Sequence, residues 1–136
     1  MKQVFNENSP SGHYTPGMIS NGVLYISGQT SADPATGLPA VGGIEAETKM
    51  ALAKMESVLK AVGCEKEDVV MCRIYVSSMD YWGDVNKVYS EFFGEHKPAR
   101  IVLPVGRLIN SRGRRLDEAG RNGGDSKFVQ KRTDDF

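Results

Sequence analysis

The sequence is short of several things, and each shortage closes a route to function. Its 136 residues include only two cysteines, Cys64 and Cys72. That is too few for a disulfide framework or a four-thiolate zinc site. His13 and His96 stand far apart, and neither lies in an H-x-x-x-H or C-x-x-C spacing, so no metal site is expected. No apolar run approaches the roughly 20 residues that span a bilayer. The opening residues, Met1-Lys2-Gln3-Val4-Phe5-Asn6-Glu7, carry no apolar stretch of the secretory type. Neither charge is in excess: 17 basic and 17 acidic residues cancel. A general nucleic-acid binder carries a basic surplus, so that class starts at a disadvantage. There is no G-x-S-x-G elbow and no Walker loop. What remains is an ordinary composition, 40% hydrophobic and 25% charged, at a length suited to one domain. Both thiols read as reduced and buried in a cytoplasmic protein.

The chain divides unevenly. Residues 1–108 hold 10 basic and 12 acidic residues, and residues 109–136 hold 7 and 5. From Ser111 onward only Leu116, Ala119, Phe128, Val129 and Phe136 are apolar, among four glycines. Such a segment buries too little to offset its ordering entropy, so residues 109–136 read as a loop or disordered tail.

The body carries clearer signals. Gly22-Val23-Leu24-Tyr25-Ile26-Ser27-Gly28 is a short apolar run, preceded by the hairpin turn of Asn21-Gly22, with Met18-Ile19 as its partner strand. Residues 31–43, around Asp33-Pro34-Ala35-Thr36-Gly37, read as a loop. Thr48, Ala51, Leu52, Met55, Val58, Leu59 and Val62 recur at helical spacing, and Gly63 ends that helix. Residues 69–76 are apolar on both faces apart from Arg73, which predicts a central strand covered on both sides. A second helix follows, with Ser78 or Asp80 as cap, Tyr81, Val85, Val88, Tyr89 and Phe92 inside, and Gly94 at its end. Residues 100–105 form a last strand, where Pro104 suits an edge or a strand end. The order β-β-α-β-α-β predicts an α+β fold, one sheet with two helices on one face. Self-association is the simplest cover for the other face.

Arg100 is the most informative single residue. It opens an apolar strand after Pro98-Ala99, where a fork-shaped donor suits a carboxylate ligand. A surface ion pair with a nearby acid is the competing reading and is the commoner one for arginine at a strand end. Arg73 carries the same ambiguity, weighted further toward an ion pair. Tyr14, between the turns of residues 9–17, reads equally as a pocket wall or a plug over the core. Trp82, beside Tyr81, reads as packing rather than a stacking platform.

Taken together, several segments resemble the Rid family, the reactive intermediate deaminases also called YjgF or L-PSP proteins. They are Asn8-Ser9-Pro10 with Gly12-His13-Tyr14, the strand ending Ser27-Gly28-Gln29, the turn Asp33-Pro34-Ala35-Thr36-Gly37, and the helix ending Val62-Gly63. Val85-Asn86-Lys87-Val88-Tyr89-Ser90-Glu91-Phe92-Phe93 and Lys97-Pro98-Ala99-Arg100 complete the set. The resemblance implies a chorismate-mutase-like fold in a homotrimer whose sheets form a barrel, with pockets between subunits. It implies hydrolysis of reactive enamine and imine acids of the 2-aminoacrylate type to 2-keto acids and ammonia, with no metal or organic cofactor. Arg100 falls on the family's carboxylate-binding arginine, and Tyr14 on its pocket tyrosine, with His13 replacing the usual proline. Ser27, Gly28 and Gln29 fall on the pocket-lining segment. Two departures stand out. Val102 occupies the position where the deaminase branch has a cysteine. The family's last strand, with its water-positioning glutamate, has no counterpart in the pattern after Leu108, which reads as divergent or altered in frame.

Three functions follow from this reading: an imine/enamine deaminase using Arg100 and backbone donors near Val102, a non-catalytic trimeric binder of small carboxylate metabolites, and an RNA-directed activity. Zero net charge argues against the last, and no membrane partner is expected.

Overall fold

The computed structural model describes residues 1–7, 12–106, 108 and 124–132, the last stretch by its backbone. Six strands form one sheet: β1 (Lys2–Val4), β2 (Gly17–Ser20), β3 (Val23–Ile26), β4 (Val69–Val76), β5 (Ala99–Pro104) and β6 (Gly124–Arg132). Helix α1 (Ile44–Lys60) lies between β3 and β4 in the chain, and α2 (Trp82–Phe93) between β4 and β5. Across the sheet the order is β1-β2-β3-β6-β4-β5.

The β2–β3 hairpin closes as its turn chemistry requires. Ser20 pairs with Val23 across a two-residue loop, and Asn21 and Gly22 take φ of 50° and 72°. Both central residues of a type I′ turn need positive φ, and Asn-Gly supplies it at least strain. Burial then alternates along β3, with Leu24 and Ile26 inside and Tyr25 outside, so one face meets the helices.

Helix α1 buries Thr48, Ala51, Leu52, Met55, Val58 and Leu59, the predicted face. It also buries Glu47 completely, which its position one turn before Ala51 dictates. Ser31 Oγ donates to Glu47 Oε1 at 3.4 Å. Lys54 Nζ donates to the carbonyls of Thr30 and Ala32, each at 3.0 Å. These contacts hold the loop after β3 against the helix. Ser78 Oγ accepts from the Asp80 backbone N–H and caps the short 3₁₀ turn Met79–Tyr81 that leads into α2. Gly94, at φ 61°, ends α2. The core joins Leu24, Val58, Leu59, Val69, Val76, Val85, Val88 and Phe93 into one cluster. Each such aliphatic side chain contributes roughly 1.5–3 kcal/mol.

Strand β4 is buried on the face that meets the helices. Its inner residues, Val69, Cys72, Ile74 and Val76, are buried. A bulge between Val69 and Met71 shifts the register, which places residues 69 and 72 on the same side despite their odd spacing. On the opposite face Arg73 is exposed and Met71 and Tyr75 are half-buried, so the described residues leave that face partly open. Pro104 is the last residue of β5, and β5 is an edge strand, as a proline without an N–H to donate requires.

The tail needs a correction. Residues 124–132, read from their polarity as loop, form β6, antiparallel to both β3 and β4. Without it β3 and β4 would each present an unpaired edge in mid-sheet. Backbone hydrogen bonding fills that gap whatever the side chains, and side-chain polarity is silent about backbone demand. The loop expectation for residues 109–123 and 133–136 lies outside the described residues.

Candidate functional site

Arg100 is the second residue of β5 and stands opposite Cys72 of β4 in parallel register. The pleat turns it and Val102 toward the helix layer, and Val102 packs half-buried against the core. Above Arg100 runs one stripe of α2: Trp82, Asn86 and Tyr89, spaced i, i+4, i+7 and therefore stacked on one face. The guanidinium carbon lies 4.6 Å from the Trp82 ring centre and 4.9 Å from that of Tyr89. Its Nη1 donates to Asn86 Oδ1 at 2.9 Å.

Among the described residues, the ion pairs found are Lys60–Glu56 and Lys87–Glu45. Arg100 is in neither, so the surface ion pair that competed for it is not what holds it. Two aromatic faces and a neutral amide oxygen do. Trp82 packs half-buried against the core, as its sequence context suggested, and its ring also stacks on the guanidinium that the start of β5 brings to it.

A cavity of about 460 Å³ opens beside this cluster, between α2 and the approach to β5, and includes Asn86, Tyr89, Phe93, Lys97 and Arg100 in its lining. Beneath it Cys72 is buried. Burial, only partly offset by the Tyr89 hydroxyl and the Arg100 charge, pushes its thiol up to about 11. It stays a neutral thiol at ordinary pH. Burial also raises Tyr89, with the Cys72 thiol adding to the effect. Its hydroxyl, sealed from solvent, has no well-formed hydrogen bond among the described residues. The neighbouring sulfur is a weak partner at best. His96 is occupied elsewhere, with Nε2 2.6 Å from the Val69 carbonyl. Among the described residues no cluster of His, Cys, Asp or Glu could hold a metal ion.

The remaining site residues gather at another place. Ser27 Oγ donates to the Thr15 carbonyl at 2.5 Å, and the Ser27 N–H to that of Pro16 at 2.9 Å. These bonds tie the end of β3 to the loop that carries Tyr14, which is exposed. Gln29 Nε2 turns back to the Ser27 carbonyl at 2.9 Å, and Gly28 lies between them. β6 and β4 separate β3 from β5. At about 4.8 Å per strand that is roughly 14 Å. The residues singled out in the sequence therefore fall in two separate groups on one chain: Tyr14, Ser27, Gly28 and Gln29 in one, Arg100 and Val102 in the other. Sequence reasoning named both sets but missed Asn86 as part of the second. The available signal was its place four residues after Trp82 and three before Tyr89.

A six-stranded sheet with two helices, and an arginine at the mouth of an edge strand, defines an α+β protein. Residues 5–113 match the family model for endoribonuclease L-PSP. The chain is 38% identical over 111 residues to a RutC family protein of Pyrococcus horikoshii, covering 79% of this chain and 88% of that protein. It is 34% identical over 97 residues to the human 2-iminobutanoate/2-iminopropanoate deaminase, covering 71% of each. A crystal structure of a candidate endoribonuclease from Thermotoga maritima superposes with a TM-score of 0.82 at 30% identity, covering 98% of both chains. The chain belongs to the L-PSP family, also called YjgF or Rid. Among the described residues no helix is long and apolar enough to cross a membrane.

Proposed function

We propose that this protein is a cytoplasmic hydrolase of small imine and enamine acids, working at a carboxylate site built where copies of the chain meet. The carrying observation is Arg100. It is permanently charged, stacked and hydrogen-bonded in place, and free of any carboxylate partner among the described residues. Such a group is poised for an anionic ligand. The named activity of the mammalian relatives, at 32–35% identity, supports the same chemistry.

In this reading Arg100 takes the substrate carboxylate and fixes the adjacent C=N carbon. An enamine tautomerises to the imine. Water adds to the imine carbon to give a carbinolamine, which expels ammonia and leaves the 2-keto acid. β5 ends the sheet, so one side of its backbone has no strand neighbour among the described residues. Its N–H groups near Val102 are suited to polarise the reacting group.

The wide separation of the two groups supports a homotrimer with chorismate-mutase-like packing, in which Tyr14 of one copy faces Arg100 of the next. The sheet face that the described residues leave open supports it too: Tyr25, Ile101 and Leu103 are 46%, 42% and 42% exposed there. Val102 favours the second reading, a non-catalytic carboxylate binder, because valine supplies no acid, base or nucleophile where the deaminase branch of the family has cysteine.

The test is keto-acid release from 2-iminobutanoate generated in the cuvette. Wild type should exceed the buffer rate, and Arg100→Ala should not. A wild type that binds 2-ketobutyrate but adds nothing to the buffer rate would establish the binder instead.

A further inference from the structure

The contacts around Arg100 raise the question of why a neutral residue holds it. Arginine has five donors and no acceptor, so whatever fixes it in the plane of its fork must be an acceptor. A carboxylate would hold it most firmly, yet would also neutralise it and compete with an incoming anion. An amide oxygen orients the fork and leaves the charge unspent.

We propose that Asn86 is a positioning residue that orients the Arg100 guanidinium over Trp82 while keeping its charge available to a ligand carboxylate. This rests on the reading of Arg100 as a carboxylate anchor. Three observations converge on it. Asn86 Oδ1 accepts from one end of the fork at 2.9 Å. The rings of Trp82 and Tyr89 hold the guanidinium from its faces at 4.6 and 4.9 Å. All three come from one stripe of α2, so a single rigid helix sets the position of a side chain on the neighbouring strand. With one nitrogen bonded to Asn86 and the flat faces stacked, the remaining N–H groups are left for the open side, where the cavity beside Pro98 and Lys97 lies.

Trp82 is the only tryptophan in the chain, so its emission reports the stacked guanidinium without any ligand. Two measurements on four proteins decide the matter: Trp82 fluorescence of the free protein, and calorimetric titration with 2-ketobutyrate. The proteins are wild type, Asn86→Leu, Asn86→Asp and Arg100→Ala. Asn86→Leu removes the acceptor at similar size. Its emission should shift toward that of Arg100→Ala, with binding at least about tenfold weaker. Asn86→Asp keeps the acceptor and adds a competing charge. Its emission should stay that of wild type while binding again weakens at least about tenfold. A merely structural asparagine would not separate the two readouts, and the near-isosteric Asn86→Asp keeps the test valid if Asn86→Leu fails to fold. Wild-type affinity in Asn86→Asp, with binding lost in Arg100→Ala, refutes the role of Asn86 alone. Wild-type affinity in Arg100→Ala refutes the carboxylate anchor and the Asn86 inference with it.

Discussion

Replacing Arg100 with alanine removes two things of unequal size. Within the chain it removes an exposed guanidinium stacked on two rings and one hydrogen bond to Asn86. Cation–π contacts at exposed sites are worth about 0.5–1 kcal/mol, and Asn86 is only half-buried, so water can replace the lost donor. The melting temperature should fall by a few degrees at most. Toward a ligand the loss is larger. A charge-assisted hydrogen bond contributes about 1.5–3 kcal/mol, which is roughly 10- to 150-fold in the dissociation constant of 2-ketobutyrate. Arg100→Lys keeps the charge but not the fork, so it should fall between wild type and alanine. Calorimetric titration and a melting curve on the same preparations read both quantities. An Arg100→Ala protein with unchanged affinity and a melting temperature far below wild type would show that the arginine is structural.

Other consequences follow from the packing and the sheet. A chain ending after Leu108 lacks the strand that joins β3 to β4 and should show no cooperative melt by circular dichroism; a sigmoidal transition at the wild-type temperature would refute the placement of β6. Cys72, with its thiol near 11 in the folded chain against 9.0 ordinarily, should resist iodoacetamide at pH 8 until the protein is unfolded. The same shift sets a sign: below pH 9 both states keep the proton, and between pH 9 and 11 only the unfolded thiol ionises. Stability should therefore fall with rising pH by about 1.4 kcal/mol per unit from this group. Leu24→Ala, at a fully buried position, should cost about 2–5 kcal/mol in denaturant titration. Light scattering should give three times the 14.9 kDa chain mass, and a monomer at micromolar concentration would sink the intersubunit site.

The parts of the fold that were legible are those whose local chemistry and tertiary role agree. Asn21-Gly22 demands a tight hairpin wherever it sits, and α1 shows its buried stripe in plain periodicity. Pro104 at the end of β5 is the same kind of agreement. The two strands that sequence reading did not find have no such signal. β1 is three residues long with a single buried side chain, Val4, too short for a period of two to register. β6 lies between two strands yet reads Gly-Asp-Ser-Lys-Phe-Val-Gln-Lys-Arg, polar where its place in the sheet would suggest apolar residues. Its position follows from the hydrogen-bonding groups of β3 and β4, which are the same for every residue type.

The site divides along a similar line. That Arg100 opens a strand is visible in sequence. What fixes it there is not, because an arginine paired with an acid and an arginine held for a ligand have the same flanking residues. The distinction lies fourteen residues upstream, in whether the helix above presents a carboxylate or an amide. Asp84 and Glu91 lie on α2 as well, so an acid within reach was the sensible expectation. The helical repeat decides otherwise. Positions 82, 86 and 89 share the stripe over β5, while Asp84 is turned some 200° from both Trp82 and Asn86 at 100° per residue. Glu91 is turned as far from Tyr89. That no acid meets the guanidinium among the described residues is thus a matter of phase: Asp84 and Glu91 are on the helix, but out of register with it. A turn of 3.6 residues brings Asn86, and neither of these acids, to the guanidinium.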